Sequence, residues 1–437
     1  MKRPIIITLL VFALLCVLAG IGASLFFTFG PFRGGDPFRV RDVLRSRNLI
    51  SATTEETKTL NTDGPITLNV QNDAGVVSIV GSEGDEMTVN VVKTGFGRTQ
   101  AEAERDLENI EYEIQQTGDA ITLTYKLATF GMDDAGDTVD FIITVPFEAG
   151  IDVESGFGEV SVSNTNGEVS IANNFGEVTV QNIEGGLTVN TESGQVEASS
   201  INAGSENIEL TSGFGTVSLE KASGQDIRLE SDSGALEMDD VRASGTVEMT
   251  TDFGDTRFTT GSAHVLTIET KSGKVTLNTL NLRGALTAKS DFGEISLEQV
   301  NAVSYDLQTS SGSITVDGTV GNLKAHSGFG SVLVLNGDSV TLDLSTQSGS
   351  VDFEGSLGEG PHTIRSNFGE INLTIPADSA LDVDLKTDFG SIKSDIPISV
   401  ILTGEAEQNH QVGTMNDGGS QLTVETSSGS ISIRASQ

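Results

Sequence analysis

Along most of this chain apolar and polar residues alternate in short runs, and the runs return on a fixed period. The stretch Ser155-Gly156-Phe157-Gly158-Glu159-Val160-Ser161-Val162 shows the unit, a glycine after Phe followed by aliphatic residues two and four positions later. The marker, Phe or Ser and then Gly, recurs at Gly176, Gly194, Gly215, Gly234, Gly254, Gly273, Gly293, Gly312, Gly330, Gly349, Gly369, Gly390 and Gly429. Successive gaps run from 18 to 21 residues, and the last, of 39, spans two periods. Apolar pairs follow each marker (Val160/Val162, Val178/Val180, Val275/Leu277, Ile431/Ile433) and precede it by seven and five positions (Ile151/Val153, Leu187/Val189, Leu266/Ile268, Leu422/Val424). Ser, Thr, Glu, Asp and Asn stand between them. Alternation with period 2 is the pattern of strands with one buried face. A repeat near 20 residues is the mark of a solenoid. A lone apolar residue about seven positions after the marker (Ile183, Ile201, Val241, Leu280, Val300) points to a short third side.

Antiparallel hairpins would also supply two strands per period, but they set unlike neighbours side by side. Parallel coils stack like on like, and that is what the recurrence of one residue type at one phase requires. The expected fold is all-β, a parallel β-solenoid (β-helix) of about 14 coils. At roughly 4.8 Å of rise per coil it would make a rod of about 70 Å.

The ends depart from the pattern. After Met1-Lys2-Arg3, residues Ile5–Phe29 carry no charge over 25 positions, enough to span a bilayer and longer than a signal-peptide core. Residues 1–30 are therefore expected to form a cytoplasmic tip and an uncleaved transmembrane anchor, with membrane contact through residues 5–29. Arg33, Arg39, Arg41, Arg45 and Arg47 on the far side count against an outward solenoid by the positive-inside rule. Long acidic domains translocate regardless of charge, so the solenoid is placed outside the cytoplasm. Residues 31–63 read as a juxtamembrane linker, polar and Thr-rich toward its end. Residues 64–150 read as an N-terminal capping β region with one short helix over Arg98–Asn109, and 151–437 as the repeat solenoid. Ile66–Ile79 looks like an imperfect early copy of the repeat. Residues 394–419 break phase and are expected to form a distorted or looped-out coil.

Charge narrows the partners. The net charge is −37, and residues 1–50 hold 7 Lys/Arg against 2 Asp/Glu, so the remainder carries −42. Such a surface repels nucleic acid and blunts edge-to-edge association. The only cysteine, Cys16, lies in the apolar run, which excludes disulfides and thiol chemistry elsewhere. His264, His326, His362 and His410 sit on different coils without metal-ligand spacing and are read as surface or corner residues. Acidic residues beyond the marker (Glu159, Glu177, Asp255, Glu294, Glu370), with Asp252, Asp291 and Asp388 beside them, offer Ca²⁺ ligands. The Gly-Gly-x-Gly-x-Asp calcium-roll repeat is absent, so no motif supports Ca²⁺. With no Trp and three Tyr there are few sugar platforms for a hydrolase. No catalytic, cofactor or metal residues are assigned.

One column has two readings. Phe157, Phe175, Phe214, Phe253, Phe292, Phe329, Phe368 and Phe389 mostly alternate with Ser193, Ser233, Ser272, Ser311 and Ser348, which doubles the period to about 39 residues. Alternation relieves crowding between coils under 5 Å apart, so an interior corner stack is expected. On that reading Phe253→Ala would cost about 3–5 kcal/mol. The other reading is an exposed docking strip spaced near 10 Å. The corner is preferred because a binding strip gains nothing from skipping every second coil, whereas a crowded corner does.

The run Val139–Pro146 leads into Ile151-Asp152-Val153-Glu154-Ser155-Gly156, and the chain closes on Leu422-Thr423-Val424-Glu425-Thr426-Ser427-Ser428-Gly429-Ser430-Ile431. With the recurrent Ser/Asp-x-Gly-x-Val/Ile turns between them, residues 64–437 resemble the bacterial "putative adhesin" family of envelope β-solenoids, a domain of unknown function. The resemblance implies this fold, an often membrane-anchored envelope location and no agreed catalytic residues. The functional expectation is a non-enzymatic, membrane-anchored cell-surface solenoid, acting as an adhesin-like or scaffolding rod toward a protein or polysaccharide. The alternatives are an accessory or sensor protein of an envelope-stress regulatory system and, third, a polysaccharide-active enzyme.

Overall fold

A computed structural model describes residues 49–62, 64–127, 136–400 and 409–436. All of them belong to the compact unit Leu44–Gln437. The proposed anchor Ile5–Phe29 lies outside the described residues. Among the described residues no helix is long and apolar enough to cross a membrane.

Each period folds into two strands, one on either side of the marker glycine. Ala149–Phe157 and Val160–Asn166 are the first clear pair, followed by Val169–Phe175 and Val178–Glu184. Pairing skips one strand each time. Val169 lies beside Ile151 and Phe175 beside Phe157, while Val178 lies beside Val160, all in parallel register. That is one coil stacked on the next. The inward positions make aliphatic ladders such as Val160–Val178–Val196–Val217, each residue shielded from water. Ile183, Ile201, Val241, Leu280 and Val300 are buried on the short third side. The bend before that side is made by a residue in left-handed conformation, for example Asn182, Ser200 and Thr279 with φ of 53°, 58° and 52°.

The marker corner has a steric reason for glycine. A Cβ on Gly293 would overlap the carbonyl oxygen of Gly273, and one on Gly273 that of Gly254. The Gly293 N–H donates to Ser311 O at 3.1 Å and the Ile295 N–H to Ser313 O at 3.0 Å. Between those backbone bonds, the glycine carbonyl accepts a side-chain hydroxyl from the following coil. Thr309 donates to Gly293 O at 3.0 Å, Ser327 to Gly312 O at 2.8 Å and Ser366 to Gly349 O at 3.0 Å. These Ser and Thr residues stand three positions before each marker and are buried.

The winding that follows chain order makes about 11 turns, not the 14 that the markers count. It runs from Ala149–Phe157 to His362–Phe368, and beyond that the chain leaves the order of the sequence. Ser420–Ser428 inserts between His362–Phe368 and Leu381–Phe389, parallel to both. Ile431–Ser436 inserts likewise between Ile371–Pro376 and Ile392–Ser394. The Gly390 coil is thereby pushed to the outside, where His410–Met415 pairs antiparallel with its strand Leu381–Phe389. That strand and Ile398–Val400, antiparallel to it, both lie within the segment 394–419 expected to be a distorted or looped-out coil.

The opposite end repeats the device. Ile66–Ala74 and Val77–Ser82 form a coil against Ala149–Asn166, and Gly75 continues the glycine column beneath Gly158. On its other side lie Ala120–Tyr125 and Thr138–Pro146, later in sequence but farther out. Glu86–Gly97 then pairs antiparallel with Thr138–Pro146. Residues 51–63, whose composition reads as a linker, are a correction. They hold most of the strand Ile50–Asn61, antiparallel to Glu86–Gly97. Its Thr-rich sequence is β-branched and suits a mostly exposed outer strand. The helix Gln100–Asn109 starts at a capping box in which Thr99 and Glu102 satisfy each other's N–H groups. It packs on Glu86–Gly97 where Gly95 and Gly97 leave no side chain in the way.

Two outcomes test this architecture. Val178 is fully buried and Thr179 faces outward. Val178→Asp should therefore cost about 3–5 kcal/mol in denaturant unfolding, as an unpaired buried charge does, whereas Thr179→Asp should be nearly silent. The hydroxyl column gives a subtler contrast. Thr191 Oγ1 is buried without a partner, and Gly176 O accepts the Asn173 amide at 3.2 Å. Thr309→Val should lose about 1 kcal/mol while Thr191→Val is neutral or stabilising. Equal losses would mean that the hydroxyls contribute only volume.

Candidate functional site

The Phe side chains point out of the solenoid, contrary to the interior stack expected above. Phe214, Phe253, Phe292, Phe329, Phe368 and Phe389 are between 62% and 80% exposed and Phe175 is 44% exposed. Phe157 alone is half-buried, stacked on Phe175 with ring centroids 5.0 Å apart and planes 6° from parallel. The reason is that strand alternation breaks at the corner. The residue three positions before the glycine turns inward, at most coils to reach a glycine carbonyl. Alternation would turn the residue two further on inward as well, but the backbone bends there and that residue emerges on the outer edge. The interior position at this corner was already taken by the hydroxyl column, which sequence reasoning missed. Its signal was present, because Ser, Thr or Asn occupies that phase in every copy.

The pairing register aligns all eight rings in one column. In space it reads Phe157, Phe175, Ser193, Phe214, Ser233, Phe253, Ser272, Phe292, Ser311, Phe329, Ser348, Phe368, Ser428, Phe389. The inserted C-terminal coil places Ser428 between Phe368 and Phe389, and the alternation that fails there in sequence is restored in space. From Phe175 onward there is one ring every second coil, along about 60 Å.

Carboxylates follow the same doubled period. After the glycine, five of the Phe coils carry an acid: Glu159, Glu177, Asp255, Glu294 and Glu370. The Ser coils carry Gln195, Ala235, Lys274, Ser313, Ser350 and Ser430 at that place. Partial burial raises the pKa of Glu177, with the neighbouring charges of Glu197 and Glu159 adding to the effect. On the Ser272 coil, Lys274 pairs with Glu294 at 3.4 Å and Lys271 with the neighbouring Asp252 at 2.6 Å, so one of the five acids is locally balanced. Among the described residues no three His, Cys, Asp or Glu side chains are grouped closely enough to hold a metal ion. A shallow groove of about 320 Å³ holds Asp306, Lys324 and Asp343, and its Lys324–Asp306 pair, at 3.9 Å, is an open surface contact.

His362 is a second correction. It is not at the surface but fully buried, standing in an aliphatic ladder next to Leu422. Its Nδ1 accepts the Leu342 N–H at 3.3 Å and its Nε2–H donates to Gly358 O at 3.2 Å, an arrangement that needs the neutral ring. Burial lowers its pKa from the ordinary 6.5, and the bond to Gly358 O offsets part of that effect.

The fold and its surface define a non-globular class of protein, a parallel β-solenoid with an outward aromatic column. The family model described as Toastrack DUF4097 matches residues 66–264 and 259–434, and the chain belongs to that family. No curated protein matches it significantly. Two solved structures are similar at low identity. A "putative cell adhesion protein" from Clostridium sporogenes is 11% identical over 88% of this chain and 100% of its own, with a TM-score of 0.17. A "putative adhesin" from Bacteroides fragilis is 16% identical over 65% and 97%, with a TM-score of 0.31. Superpositions this poor carry no weight for fold or function.

Two predictions come from these positions. Phe253→Ala should change unfolding stability by no more than about 0.5 kcal/mol, since the ring is mostly in water. A loss of several kcal/mol would return the column to the interior. For His362, the unfolded chain takes up a proton below about pH 6.5 that the folded protein refuses, so its contribution is intact above that pH and is lost as pH falls. Unfolding stability measured at pH 7.5 and 5.5 should fall more in the parent than in His362→Leu. Parallel profiles would show that the buried ring does not resist protonation.

Proposed function

We propose that this protein is a non-enzymatic, membrane-anchored surface rod that docks an extracytoplasmic partner along its aromatic column. The observation that carries the reading is the row of exposed phenylalanines, held in register by the glycine corner. Exposed large apolar side chains cost solubility, and a surface rarely keeps them in a regular row without using them. The acidic remainder keeps the rod dispersed and leaves this strip as its principal apolar contact. Anchoring rests on the uncharged run Ile5–Phe29, and the outward orientation on the ease with which long acidic domains are translocated.

Location and docking are tested together on intact cells. A membrane-impermeant amine reagent should label the exposed lysines Lys221 and Lys271, and protection of both until lysis would end the surface reading. Phe253→Ser, Phe292→Ser and Phe329→Ser combined should leave the melting temperature unchanged, since Ser already occupies this phase in other coils. Surface attachment of cells carrying the triple variant should fall by roughly tenfold. Undiminished attachment would remove the column from the docking site.

A further inference from the structure

The doubled period gives the partner a repeat length. If the column only needed apolar area, Phe in every coil would supply more of it, and Phe157 stacked on Phe175 at 5.0 Å shows that adjacent coils accommodate two rings. Crowding therefore does not force the alternation. Two coils rise about 9.6 Å, close to the roughly 10 Å over which an extended β-1,4-linked glycan repeats by disaccharide. In such a chain every second sugar presents the same apolar C–H face to one side, and those faces stack on aromatic rings. The intervening sugars are turned over and would lie against the small Ser positions.

The flanking groups fit the same ligand. Exposed carboxylates at Asp255, Glu294 and Glu370 follow the glycines of ring-bearing coils and offer acceptors for sugar hydroxyls, Asp255 and Glu294 keeping further acceptor capacity beside their contacts with Lys274. They occur on ring-bearing coils, in step with the ligand repeat. With a net charge of −37, an anionic polysaccharide is repelled and a neutral one is not. A second copy of this chain would bring two acidic columns face to face, which disfavours self-pairing through the strip. We infer that the Phe column is a binding track for a neutral, extended β-1,4-linked glycan, read one disaccharide per two coils. The inference rests on the proposed role of the column as a docking strip.

The test uses the full-length chain in detergent, with microcrystalline cellulose and chitin in sedimentation and cellohexaose and chitohexaose in titration. Amylose, which is helical and lacks the extended repeat, is the control. One variant combines Phe253→Ser with Phe292→Ser. A second combines Phe253→Ser with Ser272→Phe, which keeps the number of rings but breaks their spacing. Expected is binding to at least one β-1,4 glycan but not to amylose, with each variant weakened about fivefold to tenfold and melting as the parent does. Equal binding to amylose, or a respaced variant that binds as the parent does, would overturn the repeat match. Absence of all glycan binding, while cell attachment still depends on the column, would sink the glycan inference and spare the docking role. Self-association lost with the rings, again without glycan binding, would assign the strip to a second copy. If the double Ser variant loses neither glycan binding nor attachment, both readings fall.

Discussion

The stack depends on one close approach, the marker glycine of each coil lying against the carbonyl oxygen of the marker glycine before it. Any side chain there would occupy the space of that oxygen, so the column from Gly75 through Gly158 to Gly390 admits no Cβ. The contact sets the coils close together at the marker corner and thereby holds the strands on either side in parallel register. The hydroxyl ladder completes it. Without the Ser or Thr of the following coil, the glycine carbonyl would be a buried acceptor lacking a partner, a state that costs more than a typical hydrogen bond gains. Corner shape and corner chemistry are thus two halves of one constraint, and the aliphatic ladders can align only because both are met.

A parallel solenoid leaves an unpaired strand edge at each end, an invitation to pair with other chains. Here the two ends use the same solution. A coil that comes later or earlier in sequence takes the penultimate place, the displaced coil moves outward, and an antiparallel strand covers it. Glu86–Gly97 does so beyond Thr138–Pro146, and His410–Met415 beyond Leu381–Phe389. Insertion also ties the ends to coils distant in sequence, which makes fraying of the last coil alone harder than in a stack wound strictly in order.

These features decide what the surface offers. Because the hydroxyls own the inside of the corner, the Phe beside the glycine is left outside, and register converts a sequence repeat into a row. The inserted C-terminal coil extends the alternation by bringing Ser428 between Phe368 and Phe389. Function on this reading comes from spacing rather than from a pocket, which suits an extended partner better than a small molecule.

The amino-acid sequence alone determined the period, the inward positions of the strands and the parallel stacking, because like residues at like phase are a direct record of which side chains share a ladder. It also marked the helix near residue 100, through the Ala, Glu, Arg and Leu of Arg98–Asn109. It did not determine the direction of the Phe column. At a bend, phase says which residues align but not which way they point, and the competing claim of Ser and Thr on the interior appears only with the backbone in place. Nor did it place the Gly429 coil between those of Gly369 and Gly390, since order in space parts from order in sequence wherever the chain steps out of the winding. His362 escaped for a related reason. A polar residue on an inward phase looks like a corner exception until Leu342 N–H and Gly358 O are found on either side of its ring. Tertiary structure supplied those partners, and with them the reason a histidine can stand in an aliphatic ladder.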